Sequence, residues 1–105
     1  MAFFTMHCHH HPDKDEARDA VRPTHREWVK SGGNGLASVL IGSAFLHDDG
    51  SPAGHWGILE ADTRENAQSF AEGDPFNKNG IVERIQITAL PDGFQAHRIT
   101  ERMSG

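Results

Sequence analysis

Residues 35–46, GLASVLIGSAFL, form the longest apolar run of the chain and constrain its fold most. Large side chains occur at both odd and even positions, so a strand made from this run would present apolar residues on both faces of a sheet. One row contains Leu36, Leu40 and Leu46, and the other contains Val39, Ile41 and Phe45. Periodicity alone fits a buried helix equally well, but the glycines, the β-branched residues and the turn HDDGSPAG that follows favour a strand.

The remaining segments alternate between strand and helix patterns. In chain order, the sequence predicts a strand at 2–9, a helix at 23–31, a strand at 36–46, a strand at 55–61, a helix capped by Asp62 and Glu65, and a strand at 81–90. Pro23 suits the first position of a helix, and Gly32 and Gly33 are typical of a helix end. This order predicts an α+β, ferredoxin-like βαββαβ fold, in which two helices cover one face of a four-stranded antiparallel sheet.

The second face of that sheet requires a cover that two helices do not supply. Both rows of residues 36–46 are apolar, and an apolar surface of this kind is typical of an interaction site. A second copy of the chain, packed sheet to sheet, is the simplest cover, so we expect a homodimer. We also expect a single domain at residues 1–92 and a polar tail at residues 93–105 that is loosely ordered at its end.

Charge and composition exclude several classes of partner. The net charge is −5 with histidines neutral, whereas nucleic acid requires a basic face. No apolar run approaches the roughly 18 residues of a membrane-spanning helix, and the start MAFFTM lacks the features of a secretory signal. Cys8 is the only cysteine, which excludes an internal disulfide. We therefore expect a cytoplasmic protein that binds neither nucleic acid nor membrane.

Four features, in their order and spacing, resemble the YciI family of small stand-alone domains, also called YCII-related domains. They are the short N-terminal strand, the motif RPTH at residues 22–25, the turn and strand HDDGSPAGHWGILEA, and the motif DPF at residues 74–76 with Gly80 just after. The resemblance covers residues 3–90. It implies a dimeric α+β barrel of ferredoxin-like plan and a suspected active site built on His25 and Asp74. Most members have no assigned substrate.

The residues around these two motifs predict a small-molecule site. A partly buried imidazole near a helix N-terminus tends to stay neutral, and a nearby carboxylate such as Asp74 would fix its tautomer. A neutral histidine of this kind can act as a general base. The residues predicted to contact the substrate are His9, Arg22, Trp28 and Phe76, of which Arg22 would neutralise an anionic group. The alternatives are a core histidine, an ordinary turn aspartate and a solvated arginine.

The segment HCHHHP, residues 7–12, admits three interpretations. As a strand end, it would place Cys8 in the apolar row of Phe4 and Met6, with His10 and His11 mostly in solvent. In the second interpretation, His9 lines a pocket together with His25. A metal site is the third, but the alternation of a strand prevents all five side chains from converging on one ion, and the spacing matches no zinc signature. We expect no metal.

Two functions of different class fit this sequence. The first is an enzyme in which His25 is the general base or acid and Asp74 orients it, without a cofactor. Such a pair would catalyse proton abstraction, isomerisation or elimination on a small cyclic or aromatic acid. The second is a non-catalytic module that binds or senses a small ligand, because a fold does not dictate a function. A cavity beside a hydrogen-bonded pair favours the first, and a pair sealed by side chains favours the second.

Overall fold

The computed structural model describes residues 2–105. Its elements are β1 (Ala2–His10), α1 (Asp15–Gly35), β2 (Ser38–Leu46), β3 (Pro52–Ala61), α2 (Arg64–Gly73), α3 (Pro75–Lys78), β4 (Val82–Ala89) and a short 3-10 turn at Ala96–Arg98. All strand pairs are antiparallel, and the strand order is β2-β3-β1-β4. This arrangement confirms the predicted ferredoxin-like βαββαβ fold, which is the fold of the dimeric α+β barrels.

The core lies between the helices and one face of the sheet. Alternate residues of β1, namely Phe4, Met6 and Cys8, are buried on this face, as the sequence pattern predicted. Phe70 of α2 packs against them, together with Leu59 of β3. Since β1 is a central strand and pairs with both β3 and β4, its inward side chains carry the middle of the core.

Helix α1 begins earlier than the sequence predicted. The prediction started the helix at Pro23, but α1 begins at Asp15 and continues through Pro23. A proline inside a helix removes one hydrogen bond, so another interaction must hold the first two turns. Arg18 supplies it, because its side chain is buried and contacts β1. The regular helical turns end at Ser31, as predicted, because Gly32, Gly33 and Asn34 have φ angles of 61°, 63° and 59°, and these left-handed residues lie in the last part of α1 before Gly35.

The second helical region also differs in detail from the prediction. The cap of α2 is Thr63, whose hydroxyl accepts a hydrogen bond from the Asn66 N–H at 3.1 Å, rather than Asp62. After α2 the chain does not simply turn, because Pro75 starts the short helix α3. No helix within residues 2–105 has the length and apolar character to cross a membrane.

The C-terminal tail is not loosely ordered, contrary to the prediction. Ser104 joins α1 to β2: its hydroxyl donates to the Val29 carbonyl at 2.6 Å and accepts from the Val39 N–H at 2.8 Å. Arg102 forms a salt bridge with Glu60 at 2.7 Å. The polar residues that suggested disorder are the groups that attach the tail to the domain.

The other face of the sheet is open to solvent in the single chain. A register shift between Val39 and Ile41 interrupts the alternation of β2. Val39 and Leu40 are both buried, and Val39 belongs to the core, but the residues of β2 that follow them are not buried. Ile41 remains 44% exposed, and Phe45 packs beside His9 with ring centroids 5.5 Å apart. The open face is therefore partly apolar, as the two-row pattern indicated.

Candidate active site

His25 and Asp74, the two residues on which the family resemblance places a suspected active site, form a hydrogen-bonded pair. His25 Nδ1 lies 2.8 Å from both carboxylate oxygens of Asp74. A carboxylate only accepts hydrogen bonds, so Nδ1 carries the proton and donates it. The other nitrogen, Nε2, has no protein partner among residues 2–105 and is accessible to solvent. The pair thus leaves one imidazole lone pair for an external molecule.

Local sequence explains why Asp74 is held so firmly. It follows α2 and caps α3, where its carboxylate accepts the Phe76 N–H at 2.8 Å. Pro75 occupies the first turn of α3, where its fixed φ favours this geometry. Asp74 is only 1% exposed, so both its position and its surroundings are set by the fold.

Phe76 lies at the centre of a group of imidazole rings. It stacks on His25, with centroids 4.1 Å apart and planes inclined by 10°. It also contacts the rings of His10 and His55, with centroids 5.5 and 5.6 Å away. Phe76 was predicted to contact a substrate. It lines the cavity at this site, but it is buried and its main contacts are with the histidines.

Three further residues extend the pair, and the sequence analysis did not identify them as site residues. His10 Nε2 lies 2.7 Å from His55 Nδ1, and Arg18 Nη1 lies 3.1 Å from His10 Nδ1. His55 Nε2 lies 3.6 Å from Asp74 Oδ2. All three side chains are buried. A polar chain therefore runs from Arg18 through His10 and His55 to Asp74.

Burial keeps the two inner histidines neutral. It lowers the pKa of His55 to about 3, and it lowers the pKa of His10 to about 4 with help from the nearby Arg18 guanidinium. The prediction that His10 lies mostly in solvent was wrong, because β1 extends to this residue and its side chain is 8% exposed. It continues the inward row of Phe4, Met6 and Cys8.

A cavity of about 550 Å³ adjoins the pair, between α1 and the β2–β3 half of the sheet. His25, His10 and His55 line it on one side. Its floor includes Gly42 and Gly57, which pair across β2 and β3, and the missing side chain at Gly57 leaves open space there. The volume suits a small organic molecule.

Basic side chains from α1 line the same cavity. They are Arg18, Arg22, Arg26 and Lys30, and their spacing of four residues places them along one side of the helix. Arg22, which was predicted to contact a substrate, is among them and pairs with Asp19 at 2.6 Å. Arg26 and Lys30 form no salt bridge within residues 2–105. No acidic residue lines the cavity.

Two residues predicted to contact the substrate lie elsewhere. His9 points to the open face of the sheet beside Phe45, because neighbouring residues of a strand face opposite ways. Trp28 packs between the two main helices and donates its ring N–H to the Phe70 carbonyl at 3.0 Å. Gly73 permits this close packing, since a β-carbon there would lie 2.6 Å from the indole. Neither residue lines the cavity beside His25.

The remaining side chains of residues 2–105 provide neither a reactive thiol nor a group of metal ligands. Cys8 is fully buried, and this burial raises the pKa of its thiol to about 12, with Asp74 adding to the effect. It is a small core residue, as predicted. Within the part of the chain that the structure describes, no three His, Cys, Asp or Glu side chains are placed to hold a metal ion.

The fold and the site define a small α+β domain with a His–Asp pair beside a basic cavity. The model of the YCII-related domain matches residues 2–91, so the chain belongs to the YCII-related domain family. This result confirms the resemblance found in the sequence. No curated protein gives a significant match.

Two solved structures are similar in fold. One is the 5-chloro-2-hydroxyhydroquinone dehydrochlorinase TftG from Burkholderia phenoliruptrix AC1100, in complex with 2,5-dihydroxybenzoquinone. It has a TM-score of 0.72 and 22% identity, over 87% of this chain and 95% of that one. The other is described as an antibiotic biosynthesis monooxygenase, with a TM-score of 0.51 and 18% identity, over 87% of this chain and 97% of that one.

Proposed function

We propose that this protein is a small-molecule enzyme in which His25 is a general acid–base catalyst and Asp74 orients it, without a cofactor. The observation that carries the proposal is the His25–Asp74 hydrogen bond at the wall of a cavity that a small ligand fits. A sealed pair would have indicated a structural role, but His25 Nε2 has no protein partner within residues 2–105 and is accessible to solvent.

The substrate is an anion of small size. Arg26 and Lys30 contribute positive charge that no carboxylate among residues 2–105 neutralises by a salt bridge, although the whole chain is acidic. Apolar residues such as Met6 and Val29 line the rest of the cavity. A planar cyclic or aromatic acid fits both properties, because its ring would lie on the apolar floor and its charge would face α1.

The reaction begins with a proton transfer. Nε2 of His25 takes a proton from a carbon or hydroxyl group of the substrate, and Asp74 stabilises the imidazolium that forms. The same imidazolium then returns the proton at another position or to a leaving group, which gives isomerisation or elimination. The nearby arginines and the lysine stabilise the additional negative charge on the substrate.

A ligand screen tests this proposal directly. We would measure thermal stability with a set of small aromatic and cyclic acids, beginning with 2,5-dihydroxybenzoquinone, the ligand of the similar TftG structure. A true ligand at 100 times its dissociation constant stabilises the wild type by about 2.7 kcal/mol. Products are then followed by NMR. His25→Ala should lower turnover by roughly 10²–10⁴-fold, the usual contribution of a general base.

Gly57→Leu is a matched variant for the same screen. A β-carbon at Gly57 would lie 3.4 Å or more from its neighbours, so the backbone tolerates a side chain that fills the cavity. We expect this variant to lose the ligand while His25 and Asp74 stay intact. A ligand that binds the wild type but is never converted would instead indicate a binding or sensing module.

We also propose that the protein is a homodimer formed through the open sheet face. Ile41, Phe45 and Ile58 lie on this face and remain partly exposed in the single chain. Covering them with the same face of a second copy removes apolar surface from both. Light scattering should give twice the 11.6 kDa mass of one chain at micromolar concentration.

Ile58→Lys should shift this protein toward the monomer, because two charges would meet in the covered face. Glu27→Lys on the exposed side of α1 is its control and should leave the mass unchanged. A wild type that scatters as a monomer contradicts the dimer.

A further inference from the structure

The strongest unexplained feature of the molecule is the buried row of polar side chains that runs from Arg18 through His10 and His55 to Asp74. Within residues 2–105, His55 Nε2 is the one buried side-chain nitrogen or oxygen without a hydrogen-bond partner. Asp74 Oδ2 lies 3.6 Å from it, which is beyond an ordinary hydrogen bond. A polar atom buried in this way is destabilising, so its retention at this position calls for a reason.

We infer that Arg18, His10 and His55 are positioning residues that hold a proton on His55 Nε2, facing Asp74, and thereby keep His25 Nε2 free to accept a proton. The inference rests on the proposed role of His25 as a base. It adds a second set of residues, on β1, α1 and β3, to a pair formed by α1 and the start of α3.

Arg18 sets the direction in which hydrogen bonds are donated along this row of side chains. A guanidinium donates hydrogen bonds and accepts none, and it does not lose its proton in proteins. His10 Nδ1 faces Arg18 Nη1 at 3.1 Å and must therefore be the acceptor. A neutral imidazole has one N–H, so the proton of His10 lies on Nε2. Asp15, on the other side of Arg18, holds the guanidinium in place.

The next ring follows from the first. His10 Nε2–H donates to His55 Nδ1 at 2.7 Å, so Nδ1 of His55 is an acceptor and its proton lies on Nε2. That N–H faces the Asp74 carboxylate. Both rings are neutral at pH 7, because burial lowers the pKa of each imidazole.

The opposite tautomer of His55 would place two donors, or two acceptors, against each other at its contacts. A proton on His55 Nδ1 would face the Nε2–H of His10 at 2.7 Å and would leave a lone pair opposite the carboxylate. Moving the His10 proton to Nδ1 relieves the first contact but points that N–H at Arg18. An Nε2 lone pair would also favour protonation of Asp74, which would compete with its hydrogen bond from His25.

Histidine tautomers can be measured without a substrate. We would label the full chain with ¹⁵N-histidine and record long-range ¹H–¹⁵N spectra at pH 7 for the wild type, Arg18→Met, Arg18→Lys and Arg22→Met. In the wild type, His10 and His55 should carry their protons on Nε2 and His25 on Nδ1. Arg18→Met should move the Nδ1 resonance of His55 toward that of a protonated nitrogen.

The two other variants separate positioning from general effects. Lysine also only donates, so Arg18→Lys should restore the wild-type tautomers. Arg22→Met removes a charge one helical turn away and should leave them unchanged. If Arg18→Met does not fold, His10→Phe removes the donor to His55 and provides the same test.

Two outcomes would overturn the inference: a wild-type His55 with its proton on Nδ1, or an Arg18→Met variant with unchanged tautomers. Failure of the proposed function gives a different result. In that case the tautomers would be as stated, but His25→Ala would convert substrate as fast as the wild type.

Discussion

Replacing Asp74 with alanine is expected to lower the free energy of unfolding by about 1–3 kcal/mol for each buried donor that is left without an acceptor. The carboxylate accepts hydrogen bonds from His25 Nδ1 and the Phe76 N–H, and His55 Nε2 faces it. Without it these donors remain in a buried site with no acceptor, and each such group is destabilising. Urea unfolding at pH 7 measures the difference.

Two further variants make this result specific. Asp48→Ala removes an exposed aspartate from the β2–β3 turn and should change stability little. Asp74→Asn should recover part of the loss, because its side-chain oxygen still accepts from Phe76. Its amide group would face His25 and force the imidazole proton onto Nε2. The loss of turnover should reach about 10⁴-fold, as for the carboxamide variant of a serine protease triad.

An Asp74→Ala variant within 1 kcal/mol of the wild type would contradict the account of this site, because even one buried donor without an acceptor costs about 1–3 kcal/mol. It would mean that solvent reaches the position and replaces the carboxylate. The ¹⁵N tautomer of His25 in Asp74→Asn gives a second, substrate-independent test of the same geometry.

The sequence predicted the fold well because the fold depends on local signals, whereas the central pair was expected from the family resemblance. Strand alternation placed Phe4, Met6 and Cys8 in the core, and the resemblance implied that His25 and Asp74 share a site. Local signals were sufficient to predict the fold because connection rules leave few ways to arrange six elements in this order. The start of α1 was missed because a proline makes a helix boundary more frequent but does not require one.

The sequence did not identify Arg18, His10 and His55 as site residues for two reasons. The predicted end of β1 was one residue too early, and the contact of Arg18 depends on long-range packing. His10 follows Cys8 in the inward row, and this signal was available, but ending the strand at residue 9 placed it in solvent. His55 shares the inward row of Leu59 and Ala61 in β3, which was also available. Arg18 had no local signal, because only the fold shows that its helical turn packs on His10.

Acid is expected to destabilise the protein well above the pH at which carboxylates usually titrate. The pKa of His10 is lowered to about 4 and that of His55 to about 3, whereas both are about 6.5 in an unfolded chain. Below pH 6.5 the unfolded chain therefore binds protons that the folded chain does not. By linkage, the stability present at pH 7 is lost as the pH falls toward 4.

The expected size of this loss follows from the two shifts. Each histidine contributes up to about 1.4 kcal/mol per pH unit, so the two together remove about 3–4 kcal/mol between pH 7 and pH 5. Urea unfolding at both pH values, at one protein concentration, measures this loss of stability.

His55→Phe should reduce the loss by about half, since one buried histidine then remains. His97→Gln, which changes an exposed histidine, should behave like the wild type. Equal stability at pH 7 and pH 5 would show that both rings take up a proton in the folded state, and the two buried histidines would then not be neutral.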